Sequence, residues 1–221
     1  MPAPANALIL DATAPYLSED QLRRHAMTAK DAGVYGLCVL PGRVRQAAIM
    51  VARSVVRVRT LIGYPTGVHT PSVKALELRL ALQEGANDVA VTPNLGYFLG
   101  GEDLQLSNEL AYVAKALREV APARARNLAI VLDMQHTPVA QIERLGALLQ
   151  RSGGHGLHLL WPQCPSPDAL RALLRAYASR LTTELVSVHA PVPDVDTAQA
   201  LLDAGAHYLI TPNAAALASA S

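Results

Sequence analysis

The sequence predicts an α/β fold, a single (β/α)8 TIM barrel whose eighth helix is short or absent. Three observations predict it. Short apolar runs alternate with longer amphipathic ones along all 221 residues, the pattern of parallel βα units. The turns repeat one device. AGVYGLCVL, EGANDVAV, GGHGLHLL and AGAHYLI each read as a glycine that stops a helix, a short turn and a buried strand. The length is also close to that at which such a barrel normally starts.

The elements follow in order. A strand at 7–11 leads to a helix over 18–32, which Ser18 and Gln21 open as a capping box and Gly33 closes. A strand at 35–40, a helix over 43–54 and a strand at 56–62 come next. The third helix, 71–84, stops at Gly85 before a strand at 88–92. A helix over 102–119 and a strand at 128–133 precede a helix over 138–151 that stops at Gly153. After a strand at 157–161, Ser166 supplies an N-cap and Pro167 the first residue of a helix over 167–178. A strand at 185–189, a helix over 195–203 stopped by Gly205, and a strand at 208–211 complete the series. Residues 1–221 read as one domain with no linker. Residues 1–6 and 214–221 are expected to be flexible ends, the latter too short for a full eighth helix.

Composition narrows the function classes. Hydrophobic residues make up 51% of the chain, with one Phe and one Trp, so the core is aliphatic. With 19 basic against 18 acidic residues there is no electrostatic footprint for nucleic acid and none for a membrane surface. Two cysteines, Cys38 and Cys164, cannot build a disulfide framework and read as reduced thiols. The N-terminus lacks a signal-peptide pattern, and no run approaches the ~18 apolar residues of a span, so a cytoplasmic location is expected.

The segments GLCVLP (36–41), LIGYPTG (61–67), SVKALE (72–77) and GANDVAVTPNLG (85–96) resemble the deoxyribose-phosphate aldolase family. The corresponding family segments read roughly AVCVNP, VIGFPLG, EVKVFE and GADEIDMVINIG. The resemblance runs from about residue 7 to about residue 213. It implies the barrel, with functional groups at the C-terminal strand ends. It also implies an aldol cleavage through a lysine Schiff base, and there the chain departs from the family. The Schiff-base lysine of an FVKTSTG-like segment falls on His158 of GLHLLWP. The second lysine, in a VKASGG-like segment, falls on His189 of VHAPVP. The aspartate of EIDMV falls on Ala90. Lys30, Lys74 and Lys115 are the only lysines, and an iminium requires a primary amine. Lys74 aligns with a family lysine early in the third helix and is expected to be solvated, as helix-surface lysines usually are.

The phosphate-binding turns also differ. Where the family has glycine-rich turns, this chain reads WPQCPSP, APVPD and TPNAA, and proline has no N–H to donate. Polar groups remain at the expected mouth. Asp11 matches the aspartate of a DHT-like motif, and Asp133 stands where the family has a glutamate in ILETG. With His158 and His189 they form the candidate catalytic set. Cys38, Tyr64, Thr92, Trp161, Thr211 and Asn213 are the candidate substrate-binding residues, with Tyr97 and Phe98 as further lid candidates. His69 and His136 are expected on the same face.

Three readings of this set stay open. One is general acid–base catalysis, for which an imidazole oriented by a carboxylate is suited. Another is a divalent metal held by two His and one or two carboxylates; no local ligand motif supports it, and neither metal nor cofactor is expected. The third is a relic pocket in which the two His fill the space of lysines and bond to Asp133, Asp11, backbone or water. The function expected is a pseudoenzyme or metabolite-binding homologue, with a rebuilt His/Asp site or without one. Deoxyribose-phosphate aldolase or a related carbon–carbon lyase is the alternative. A small carbonyl metabolite is the expected ligand, and a homodimer is allowed.

Overall fold

In the computed structural model, which describes residues 3–121, 128–137, 156–178 and 185–220, eight parallel strands close into one barrel. They are β1 (Leu8–Ala12), β2 (Gly36–Val39), β3 (Arg57–Ile62), β4 (Asp88–Val91), β5 (Leu128–Asp133), β6 (Gly156–Leu160), β7 (Leu185–His189) and β8 (Tyr208–Thr211). Closure is the pairing of β1 with β8, Ile9 opposite Ile210. The described helices are α1 (Glu19–Asp31), α2 (Val44–Met50), α3 (Pro71–Gln83), α4 (Leu95–Gly100), α5 (Asp103–Val120), α6 (Pro167–Ala178), α7 (Val195–Asp203) and α8 (Ala214–Ser219). The helix expected over 138–151, with Gly153 and His155, lies outside the described residues.

The strands are apolar on both faces because both faces are covered. One face of each packs under the helices. The other faces the barrel axis, where Ile9, Cys38, Leu61, Ala90, Ala129, Val131 and Ile210 form a separate inner core. The caps read from sequence are present: Ser18 and Gln21 bond reciprocally, and Ser166 Oγ accepts from Ala169 N at 3.1 Å. Gly85 and Gly205 sit at φ 111° and 115°, the backbone region in which glycine avoids the Cβ penalty.

Two local expectations are corrected. The segment after β4 is not an open loop. Asn94 accepts from Gly96 N (3.0 Å) and Tyr97 N (3.4 Å), which opens the short helix α4. Its Phe98 is fully buried in the core, so it is no lid residue. The C-terminal residues are not a frayed tail either. They form α8, which buries Ala214 and Leu217, and Leu217 O accepts from Ala3 N at 3.3 Å.

Helix α3 inverts the usual arrangement. It turns Lys74 inward with Ala75, Leu78 and Ala81, and leaves Val73, Leu76 and Leu80 exposed. Lys74 is therefore not solvated but 0% exposed. Its Nζ donates to Glu109 Oε1 of α5 (2.7 Å) and to Thr92 O (2.9 Å). Burial lowers the Lys74 pKa against the hydrogen bond and charge of Glu109. Burial raises that of Glu109 against the same contacts. Each partner is tolerable only because the other is there.

Lys74→Met should therefore cost about 3–5 kcal/mol, since it strands a carboxylate in the core. The double variant Lys74→Met/Glu109→Leu should recover most of that loss. Urea unfolding at neutral pH measures both. Equal losses for the single and double variants would contradict the pairing.

Candidate functional site

The pleat sets what the barrel mouth contains. Side chains alternate along a strand, so Asp11, Cys38, His158 and His189 point to the axis from β1, β2, β6 and β7. The register places Asp11 beside Cys38 and His158 beside Ser187. His158 and His189 meet edge to face, ring centroids 5.2 Å apart, with His158 Nε2 3.0 Å from His189 Nδ1. His189 Nε2 lies 3.1 Å from Asp11 Oδ2. The other Asp11 oxygen accepts from Thr13 N (3.0 Å) and Thr13 Oγ1 (2.8 Å). The result is a linear chain, Thr13–Asp11–His189–His158, running from the mouth into the barrel.

Burial raises the Asp11 pKa, but the His189 ring and the Thr13 donors outweigh it, so the carboxyl lies below its ordinary range. His158 is fully buried. Burial, the positive charge of Arg59 and then His189 hold its pKa well below the ordinary 6.5. His158 is thus held neutral. Among the described residues its Nδ1 has no hydrogen-bond partner.

Asp133 stands apart from this chain. It reaches the mouth from the end of β5, but its Oδ2 contacts His136 Nδ1 at 2.7 Å and its Oδ1 accepts from Gln135 N at 2.9 Å. The carboxylate partner of the histidine pair is Asp11. His69 lies on the exposed loop after β3, and His207 accepts from Val186 N at the base of β7. Among the described residues no three His, Cys, Asp or Glu side chains converge as metal ligands would. The facing nitrogens of His158 and His189 are spent on each other and on Asp11.

A cavity of about 240 Å3 opens over the end of this chain, lined by Asp11, Thr13, Tyr64, Leu160, Trp161, His189, Ala190, Pro191 and Pro212. Tyr64 and Trp161 wall it, and Tyr64 is pushed up by burial and by the charges of Asp11, Asp133 and Cys38. Cys38 is fully buried beneath. Burial and the Asp11 charge raise its thiol pKa, so it is a packing residue and not a nucleophile. Thr92 is buried away from the cavity with its carbonyl on Lys74. Thr211 and Asn213 staple loops instead of facing a ligand. Thr211 Oγ1 accepts from Val192 N (3.1 Å) and Asn213 N (3.4 Å), and Asn213 Nδ2 donates to Val192 O (2.9 Å).

Sequence reading missed one functional side chain. Arg59 also points inward from β3, is 6% exposed, and spans the barrel to donate from Nη1 to Ser187 Oγ at 3.0 Å. The row Ala90, Ala129, Gly156 on β4–β6 leaves room for it. The alternation in RVRTLI puts Arg57, Arg59 and Leu61 on one face, and that signal was available.

Fold and site together define a (β/α)8 barrel with its polar constellation at the C-terminal strand ends. The comparisons make the class specific. The chain is 29% identical over 206 residues to the deoxyribose-phosphate aldolase of Thermus thermophilus, covering 92% of this chain and 90% of that one. Among solved structures, the aldolase QR15 superposes with a TM-score of 0.83 at 20% identity, over 96% of this chain and 92% of that one. The tetrameric deoxyribose phosphate aldolase of Aeropyrum pernix gives 0.82 at 18% identity, over 97% and 88%. No family model matches the chain. By homology over nearly its whole length, the chain is a relative of the deoxyribose-phosphate aldolases.

The depressed pKa of His158 has a measurable consequence. The unfolded chain binds that proton near 6.5, while the folded chain binds it only at lower pH. Stability is therefore complete above 6.5 and is lost as pH falls from there toward the folded value, by up to about 1.4 kcal/mol per pH unit. Asp11, also depressed, adds a second loss below its ordinary 3.8. Urea unfolding from pH 7.5 to 5 should show the first slope, and His158→Gln should flatten it. An unchanged slope in that variant would contradict the assignment.

Proposed function

We propose that this chain is a metabolite-binding relative of the deoxyribose-phosphate aldolases that does not work through a lysine Schiff base. The observation that carries the reading is the histidine pair. At the two inward positions where the family resemblance expects lysines, His158 and His189 are bonded to each other at 3.0 Å, and His189 to Asp11 at 3.1 Å. All three lysines lie elsewhere: Lys30 and Lys115 are exposed on α1 and α5, and Lys74 is behind the barrel wall. Ala90, where the proton-shuttling aspartate is expected, is a buried apolar residue.

The ligand this mouth suits is small, carbonyl-bearing and not phosphorylated. A phosphate cradle needs several free backbone N–H groups. Several N–H groups around these turns are committed. Trp161 N donates to His189 O, Ala190 N to Ile210 O, and Val192 N to Ala190 O and Thr211 Oγ1. Pro191 and Pro212 have none to offer. His189 is the group positioned to exchange a proton with a bound carbonyl compound, with Asp11 orienting its ring. To do so it must release one of two ring contacts, which favours binding over turnover.

A second reading keeps aldolase activity, and one observation favours it: Lys74 is a buried amine of depressed pKa, the kind that forms an iminium. Its contacts with Glu109 and Thr92 O oppose this, because they occupy the nitrogen on the far side of the β3–β4 wall. Borohydride trapping with deoxyribose 5-phosphate, followed by peptide mass spectrometry, separates the two. No lysine adduct is expected, and at least a 10³-fold lower cleavage rate than a lysine-bearing homologue. A stable adduct on Lys74 would establish the aldolase reading.

A further inference from the structure

The barrel has a second cavity, at the opposite, N-terminal end. It measures about 210 Å3 and is lined by Tyr35, Arg59, Asp88, Ala129, Gly156, Leu185 and Tyr208. Its charges do not balance. Asp88 is already matched: Arg57 Nε and Nη2 each donate to it at 3.0 Å, and the Arg57 guanidinium also sits 5.6 Å from the centre of the Tyr35 ring. Arg59 has no such partner. Among the described residues it makes no ion pair, its one hydrogen bond goes to the neutral Ser187 hydroxyl, and its Nε is buried with no acceptor.

A buried arginine, 6% exposed, without an ion-pair partner is costly. The carboxylate that lines the same cavity, Asp88, is taken by the half-buried Arg57. His158 on the axis is kept neutral, and the small side chains of Ala129 and Gly156 leave the space beside Arg59 open. The two phenols at this end, Tyr35 and Tyr208, lie tilted at 33° with centroids 4.5 Å apart, the Tyr35 hydroxyl bonded to that of Tyr208. One net positive charge, a forked donor and two phenols around an enclosed space suit a small oxyanion.

We propose that the N-terminal cavity is an anion site, in which Arg59 binds a small oxyanion such as inorganic phosphate inside the barrel. The site is independent of the mouth where His189 and Asp11 lie, and does not rest on the metabolite-binding reading. An anion there would supply the charge partner that the protein itself withholds from Arg59.

Thermal unfolding of the full chain in inorganic phosphate tests this, against chloride at equal ionic strength. Phosphate should raise Tm with the logarithm of its concentration above its dissociation constant, by about 3–5 °C at ten times that constant. Arg59→Met should abolish the shift. Ala129→Leu, which fills the cavity and keeps the guanidinium, should weaken binding at least tenfold and guards against a poorly folding Arg59 variant. His189→Gln at the other mouth should leave the shift intact. An equal response to chloride, a wild-type rise that is linear in phosphate concentration, or an undiminished shift in either cavity variant overturns the proposal.

Discussion

A closed parallel barrel turns every second residue of every strand toward one axis, and that interior has to be filled and electrically satisfied. The requirement organises the rest of this molecule. Apolar residues fill part of the axis, with Ile9, Leu61, Val131 and Ile210 in the inner core. The remainder is polar. Arg59 crosses to Ser187, and His158 leans on His189, which leans on Asp11. Small residues at Ala90, Ala129 and Gly156 give those long side chains their space. Each of these polar groups is held by another inward group.

The interior is consequently graded in charge. Asp11 marks the C-terminal end as negative, and Arg59 marks the N-terminal half as positive, with two imidazoles between them. Burial would make an imidazolium at His158 expensive, and the guanidinium below makes it more so. The two cavities sit at the ends of this gradient. The mouth presents a carboxylate and an imidazole. The base presents an arginine whose Nε has no acceptor among the described residues.

Much of the architecture was legible in sequence. Eight strands and their order follow from short apolar runs alternating with amphipathic ones and from repeated glycine stops, which are local signals, and the strand-end positions of Asp11, His158 and His189 follow from the resemblance to the aldolase family. What went unread had non-local causes. Helix α4 depends on Asn94 capping a six-residue turn too short to show a period. The buried state of Lys74 depends on Glu109, which reaches it from another helix 35 residues on. Its burial places a charged residue on the same inward face as Ala75, Leu78 and Ala81, where a solvated lysine was expected.

The sequence alone determined the barrel, through its alternation of apolar runs and helix stops, and which residue types are available to it: three lysines in all, and prolines in WPQCPSP, APVPD and TPNAA. Tertiary structure decided the pairings. It gave the histidines Asp11 and left Asp133 to His136, since the angular spacing of strands around a closed barrel, and not distance along the chain, sets which carboxylate reaches which ring. It also left Arg59 without an ion-pair partner among the described residues, because partnership across an axis is a three-dimensional fact that alternation along one strand cannot carry.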